Sequence, residues 1–482
     1  MRVDARSSTD RGQDRGAIGR GRSRRFGSWA CGVAVVIALA GAPAIRAGSI
    51  LLTPEWLEKS GSTTEAGDTS RGLVELDQAT RSFQGGDFDA CLRQLGAAVQ
   101  AHPELPPAHA LFARLAIESD HASLIRPALE RAIAEDPEHP EVFLLFGELA
   151  LREGRLTDAA LHFEKAAALA RAPRWTAQPR RRFEQLGLQG RAAVAEGRGD
   201  WKAAKVALDG WLELEPANTL ARQRLGKALF HLGERKAAYQ ELERAAKADT
   251  ALEPAAVSMG WLYTQAGDLK KAQEWMDYAV QVAPDSLAVR IGLAAWLLEQ
   301  GRADEAQDQA ATAAKLDPRS VGARRLLGLV ARARKELSRS EPIFQAMAAE
   351  WPGDAWVRNQ LALVLAEQSD EAKRRQALEL AELGARQSPH DADTLATLGT
   401  VYYRLGRLDE AEKLLQAVVD SGQGSSDAAY ILARIRADRG HAEAAPALLK
   451  AALAAPGLFL GRDDARQWLD RLALASQSAP RR

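Results

Sequence analysis

Small and apolar residues recur along this chain on a register of 34 residues. Gly199, Gly233, Gly267 and Gly301 stand one interval apart, as do Gly406 and Gly440. Pro103 and Pro137 keep the same spacing, and so do Pro284, Pro318 and Pro352. Within the unit, leucine or an aromatic falls at positions 7, 11 and 24, and a small residue at 8 and 20. Residues three and four apart share one face of a helix, so each unit reads as two amphipathic helices. The glycine at position 15 ends the first helix, because it tolerates a left-handed backbone. The proline at position 32 ends the second, because its ring cannot continue the hydrogen-bond ladder.

Eleven units follow: 72–105, 106–139, 140–173, 185–218, 219–252, 253–286, 287–320, 321–354, 355–391, 392–425 and 426–459. Position 20 is alanine in eight of them and position 27 in seven, so close helix approach is a property of the whole array. One such unit cannot bury its own apolar face, so neighbours must stack. No Val/Ile/Thr-rich alternating run with hairpin turns is present, and the chain is expected to be all-α.

Met259, Gly260, Tyr263, Gly267, Ala272, Ala279 and Pro284 spell this register out, as do Leu398, Gly399, Tyr402, Gly406 and Ala411. In these residues the chain resembles the tetratricopeptide repeat (TPR) family, over about four-fifths of its length. The resemblance implies a right-handed α-solenoid with the first helix of each repeat lining a concave groove. It also implies that positions 2, 5, 9, 12 and 13 face that groove. Carried over, these give Lys227, Phe230 and His231; Val257, Trp261 and Gln265; Ile291, Ala295 and Leu298; Arg325, Leu329 and Arg332; and Thr400, Tyr403 and Arg404. Some TPR proteins clamp a chaperone's C-terminal carboxylate with Lys at position 5 and Asn at 9. The corresponding pairs here, Gln223/Lys227 and Ile291/Ala295 among them, do not fit.

Three places depart from the pattern. Residues 174–184 are an insertion, expected either to lengthen the first helix of the fourth repeat or to precede it as a loop. The eighth repeat has Lys335 where glycine is usual, and Pro342 early in its second helix, where the first turn would tolerate it. The ninth repeat holds three extra residues near Gln368–Gln376. After the last repeat, Ala465, Trp468, Leu469 and Leu472 share one helical face, which suits a capping helix within 460–482.

The amino terminus reads differently. Eight arginines lie between Arg2 and Arg25, an uncharged stretch runs from Phe26 to Ile45, and small residues follow at Ala42, Ala44 and Ala47. This order describes a signal peptide over 1–47; retained, residues 26–45 would serve as a membrane anchor. Residues 48–71 read as a flexible linker. The chain carries 64 basic and 64 acidic side chains; losing 1–47 removes nine Arg and three Asp and leaves 55 against 61. That balance does not suggest a nucleic-acid binder. Cys91 remains as a lone cysteine at repeat position 20, where a small buried residue is needed.

Chemistry is sparse. The eight histidines form neither H-x-x-x-H nor H-E-x-x-H, and no C-x-x-C or phosphate-binding loop is present. No cofactor, metal site or enzymatic role is expected. Arg171, Arg174, Arg180, Arg181 and Arg182 form an acid-free cluster, either a solvated insertion or a dock for an acidic partner or anionic polymer. The expected function is a non-catalytic scaffold, exported to the periplasm or cell envelope, that binds a protein or extended peptide in its groove. The alternative is an accessory factor for the export or assembly of an envelope polymer.

Overall fold

A computed structural model of the protein describes residues 69–119, 121–422, 425–455 and 457–478. The expected signal segment, and all but the last three residues of the expected linker, lie outside them. The described residues form twenty-three α-helices, one short 3-10 turn at Ala442–Ala444, and no strand.

The helices come in pairs. The first three are α1 (Thr69–Gln84) with α2 (Phe88–Ala101), α3 (Ala108–Glu118) with α4 (Ala122–Glu135), and α5 (Pro140–Arg152) with α6 (Leu156–Ala170). Then come α7 (Ala177–Arg198) with α8 (Trp201–Leu214), α9 (Thr219–His231) with α10 (Arg235–Ala248), and α11 (Ala255–Gln265) with α12 (Leu269–Val282). The next three are α13 (Leu287–Glu299) with α14 (Ala303–Leu316), α15 (Val321–Ala333) with α16 (Leu337–Glu350), and α17 (Ala355–Ala366) with α18 (Glu371–Gln387). Last are α19 (Ala392–Arg404) with α20 (Leu408–Asp420), α21 (Ser426–Asp438) with α22 (Ala445–Ala454), and the single helix α23 (Arg462–Ser478). Each helix packs on the next, and first helices also meet across repeats, as α5 does α7 and α19 does α21.

The side chains explain the pairing. All eleven residues at repeat position 20, from Cys91 through Ala272 to Ala445, are buried. Opposite them, a β-carbon on Gly260 would come within 2.7 Å of Met276, one on Gly226 within 2.7 Å of Leu242, and one on Gly399 within 2.6 Å of Leu415. These are positions 8 and 24 of one repeat, so the glycine makes room for the large residue facing it. Gly267 and Gly301 turn the chain between helices at φ +79° and +77°. Beyond the turn, Asp268 caps α12 by accepting from the Lys271 amide. One continuous apolar core runs from Ala192 in α7 to Val401 in α19. A C-terminal core follows, in which Ala465, Trp468, Leu469 and Leu472 of α23 cover the last repeat.

The departures find physical forms. Residues 171–176 make a turn, and the rest of the insertion begins α7, which is 22 residues long. The extra residues of the ninth repeat go into α18, which has 17. Lys335 takes the glycine's place at φ +61°, and no other non-glycine residue among those described has positive φ. Pro342 corrects an expectation. It is the sixth residue of α16, past the first turn, so the helix lacks the amide that would bond the carbonyl of Ser338.

Candidate interaction groove

First helices bear the residues expected in the groove, and the structure sorts them. Lys227, Phe230, Val257, Trp261, Ile291, Leu298 and Arg325 are buried, which corrects their reading as open groove contacts. Ala295, Leu329 and Thr400 are buried as well. Arg332 and Tyr403 are half-buried, while His231, Gln265 and Arg404 are exposed. The reason is packing between repeats. Trp261 is only 3% exposed within the continuous core, and Phe230 sits edge-on to Tyr263 of the next repeat at 4.8 Å. Arg235 covers the Phe230 ring at 3.7 Å.

The cations here are held internally. Arg325 pairs with Asp354. Arg332 donates to Glu367 Oε1 at 2.6 and 3.0 Å, and to Gln360 Oε1 at 3.1 Å. Lys227 lies over the Trp201 ring at 5.1 Å, and His231 stacks on that ring at 3.9 Å. Burial lowers Lys227 to about 6, Glu196 opposing and Arg224 assisting. His231 keeps an exposed edge, but desolvation of the ring face stacked on Trp201 lowers it to about 4, with Lys227 and Arg235 adding to it. At neutral pH this part of the groove is therefore less basic than its sequence suggests.

A set of carboxylates escaped the sequence reading. Burial raises Glu253 to about 7; it accepts from the Ser258 hydroxyl at 2.8 Å. Burial raises Asp427, at the start of α21, to about 6, although Arg332 opposes it. Asp393, at the start of α19, is raised for the same reason and by Asp391. Asp393 keeps an exposed face, with protein packed around the rest of it. Arg332 and Asp427 are about three repeats apart in sequence, so no local pattern announces their approach.

The arginine cluster is likewise engaged. Arg174 pairs with Asp136 at 3.2 Å and covers Trp175 at 4.7 Å. Arg180 donates to the Trp175 carbonyl at 3.2 Å, Arg181 to that of Leu214, and Arg182 lies 3.8 Å from Glu141. Trp175 packs edge-on to His139 and Phe183, at 4.9 and 5.0 Å. The insertion is thus a stapled part of the wall, with a buried ionic group beneath it. There Arg114 pairs with Glu141, and Glu148 lies 3.3 Å from Arg152. Burial lowers Arg114 to about 9 and raises Glu148 to about 7.

Burial, with Asp87, pushes the Cys91 thiol up to about 11. Among the described residues, no three His, Cys, Asp or Glu side chains come together as a metal site. Nor is any described helix long and apolar enough to cross a membrane.

Parts of this array match known family models. Tetratricopeptide-repeat family models match residues 126–173, 292–355 and 369–435. No curated protein matches the sequence. Among solved structures, yeast Tom70 is similar at 14% identity, with 85% of this chain and 98% of that one covered and a TM-score of 0.36. The Cut9–Hcn1 hetero-tetramer of the APC/C gives 12% identity, 83% and 96% coverage and a TM-score of 0.38. Pseudomonas aeruginosa pilF gives 16% identity, 46% and 96% coverage and a TM-score of 0.33. The matched repeats, together with eleven stacked helix pairs and a terminal cap, make this chain a tetratricopeptide-repeat protein.

Proposed function

We propose that this chain is a non-catalytic scaffold of the cell envelope that binds a protein or extended peptide along its concave face. The observation that carries the reading is the groove surface left uncovered near the C-terminal end. There Tyr403 is half-buried, its hydroxyl donating to Asp438 at 2.9 Å, and Arg404 beside it is exposed. A tyrosine with one face in the core and one in water loses little freedom on binding, as interface anchors do. The basic N-terminal segment followed by an uncharged stretch supports the envelope location.

The polymer-export alternative needs a groove both aromatic and basic. Lys227 and Arg325 are buried and Arg332 is neutralised by Glu367, so the observations favour a protein ligand. Capture from envelope extract tests the reading. Tyr403→Ala with Arg404→Ala should weaken retention of the captured protein by about tenfold, more than truncating most interface residues costs. Equal retention by wild type and the double variant would overturn it.

A further inference from the structure

The end of the solenoid returns to its middle. Gly457, just past α22, donates its amide to Oε1 of Glu299, the last residue of α13, at 3.2 Å across 158 residues of sequence. Gly457 is buried with φ +99°, a conformation that side chains rarely adopt. The next three residues alternate. Leu458 and Leu460 pack against the central core, while Phe459 turns into the C-terminal core beside Tyr430 at 5.6 Å. Arg462 fastens the segment from behind, donating to the carbonyls of Leu453 and Gly457 at 3.1 Å each. Asp463 then lies 3.1 Å from where a β-carbon on Gly301 would sit.

Capping the last repeat does not require these contacts, since α23 already covers its apolar face. They have the form of peptide recognition: a main-chain amide read by a fixed acceptor, and alternate side chains received by an apolar wall. The seat also holds more than the segment uses. Glu299 Oε2 is buried and has no hydrogen-bond partner.

We propose that Gly457–Leu460 is a strap occupying, in cis, a peptide seat at the end of α13, and that an extended peptide with apolar side chains two residues apart competes for it. The proposal rests on the groove-binding reading above and names the chemistry of its ligand. While the strap is seated, an outside peptide binds only to the fraction of molecules that are open, so its apparent affinity falls by that fraction.

The probe is a dye-labelled synthetic peptide with the sequence of residues 455–462. The full chain is compared with Leu458→Ser/Leu460→Ser, which keeps Phe459 in the C-terminal core. The released variant should bind the probe at least about tenfold more tightly than wild type. A probe with serine at both leucine positions should bind neither protein. Equal affinities, or no binding to either protein, overturn the proposal. If the variant does not fold, hydrogen exchange on wild type decides. Excess probe should speed exchange of the Gly457–Leu460 amides, and unchanged exchange with the probe at millimolar concentration overturns it. A released variant that takes the probe but captures nothing from envelope extract sinks the scaffold reading and leaves the strap standing.

Discussion

The Phe344 ring lies 2.5 Å from where a β-carbon on Gly328 would have to sit. The two residues occupy positions 8 and 24 of the eighth repeat, and the absent side chain of one is filled by the ring of the other. Gly260 and Met276 hold the same relationship in the sixth repeat at 2.7 Å, but there the nearest atom is the mobile end of a methionine. Glycine to alanine inside a helix gains about 1 kcal/mol of propensity. Overpacking costs about 1–3 kcal/mol. Gly328→Ala should therefore be destabilising by about 1–2 kcal/mol, and Gly260→Ala nearly neutral. Urea midpoints check the order; a larger loss at Gly260 would mean that the ring yields more easily than the thioether.

Lys335 holds φ +61° at a position where eight other repeats use glycine with φ between +70° and +88°. A side chain in this region costs about 1–2 kcal/mol, part of which glycine returns as entropy of the unfolded chain. Lys335→Gly should stabilise the chain by up to about 1 kcal/mol. Thermal unfolding measures this, and a lower midpoint would show that the lysine stabilises the turn through its side chain.

These two cases mark what the sequence disclosed. The glycine at 328, the phenylalanine at 344 and the missing glycine at 335 all lie within one repeat, so a 34-residue register exposes them. The buried alanines at positions 20 and 27 were legible on the same ground. The accessible groove was not. Whether Trp261 or Arg325 meets water depends on the small rotation between successive repeats, which accumulates over the array. The approach of Asp427 to Arg332, or of Gly457 to Glu299, is the sum of those rotations and leaves no trace in any one repeat.

The buried carboxylates predict a pH dependence of known sign. Glu253 rises from an ordinary 4.5 to about 7, and Asp427 from 3.8 to about 6, both chiefly through burial. The folded state then holds protons that the unfolded state has released, so stability falls as pH climbs from about 4 to 7. Lys227 acts oppositely. Lowered from 10.5 to about 6, it is neutral when folded and charged when unfolded over the upper part of that interval, and its contribution rises with pH there. His231, lowered from 6.5 to about 4, also opposes the carboxylates up to about pH 6.5, so the test is a comparison: in urea unfolding at pH 5 and pH 7, Glu253→Gln should gain stability at pH 7 relative to pH 5 when set against wild type. An unchanged difference in that variant would remove Glu253 from the account.

Trp261 lies inside the wall, and its truncation should be read as a stability experiment. The side chain is 3% exposed among residues of the continuous core. Trp261→Ala should cost about 3–5 kcal/mol through lost burial and the cavity left behind. A variant as stable as wild type would instead return Trp261 to the groove surface as a ligand anchor.

Arg332 poses the matching question for charge. Its side chain is 12% exposed and that of Glu367 is 23%, so the pair is partly withdrawn from water. Removing one partner strands the other: Arg332→Ala leaves Glu367 without its counter-ion and Asp427 without the charge that opposes its rise. Losing one member of a buried pair costs about 3–5 kcal/mol, and water's access to Glu367 places this case at the lower end. Arg332→Met with Glu367→Leu replaces both charges by apolar groups of similar volume and should recover most of the loss. A double-mutant cycle from urea midpoints separates the two roles, because the coupling vanishes unless the two residues act on each other. Strong coupling makes Arg332 a brace between the eighth and ninth repeats. If Arg332→Ala leaves stability unchanged and lowers only the retention of a captured protein, the guanidinium is a ligand contact and Glu367 an incidental neighbour.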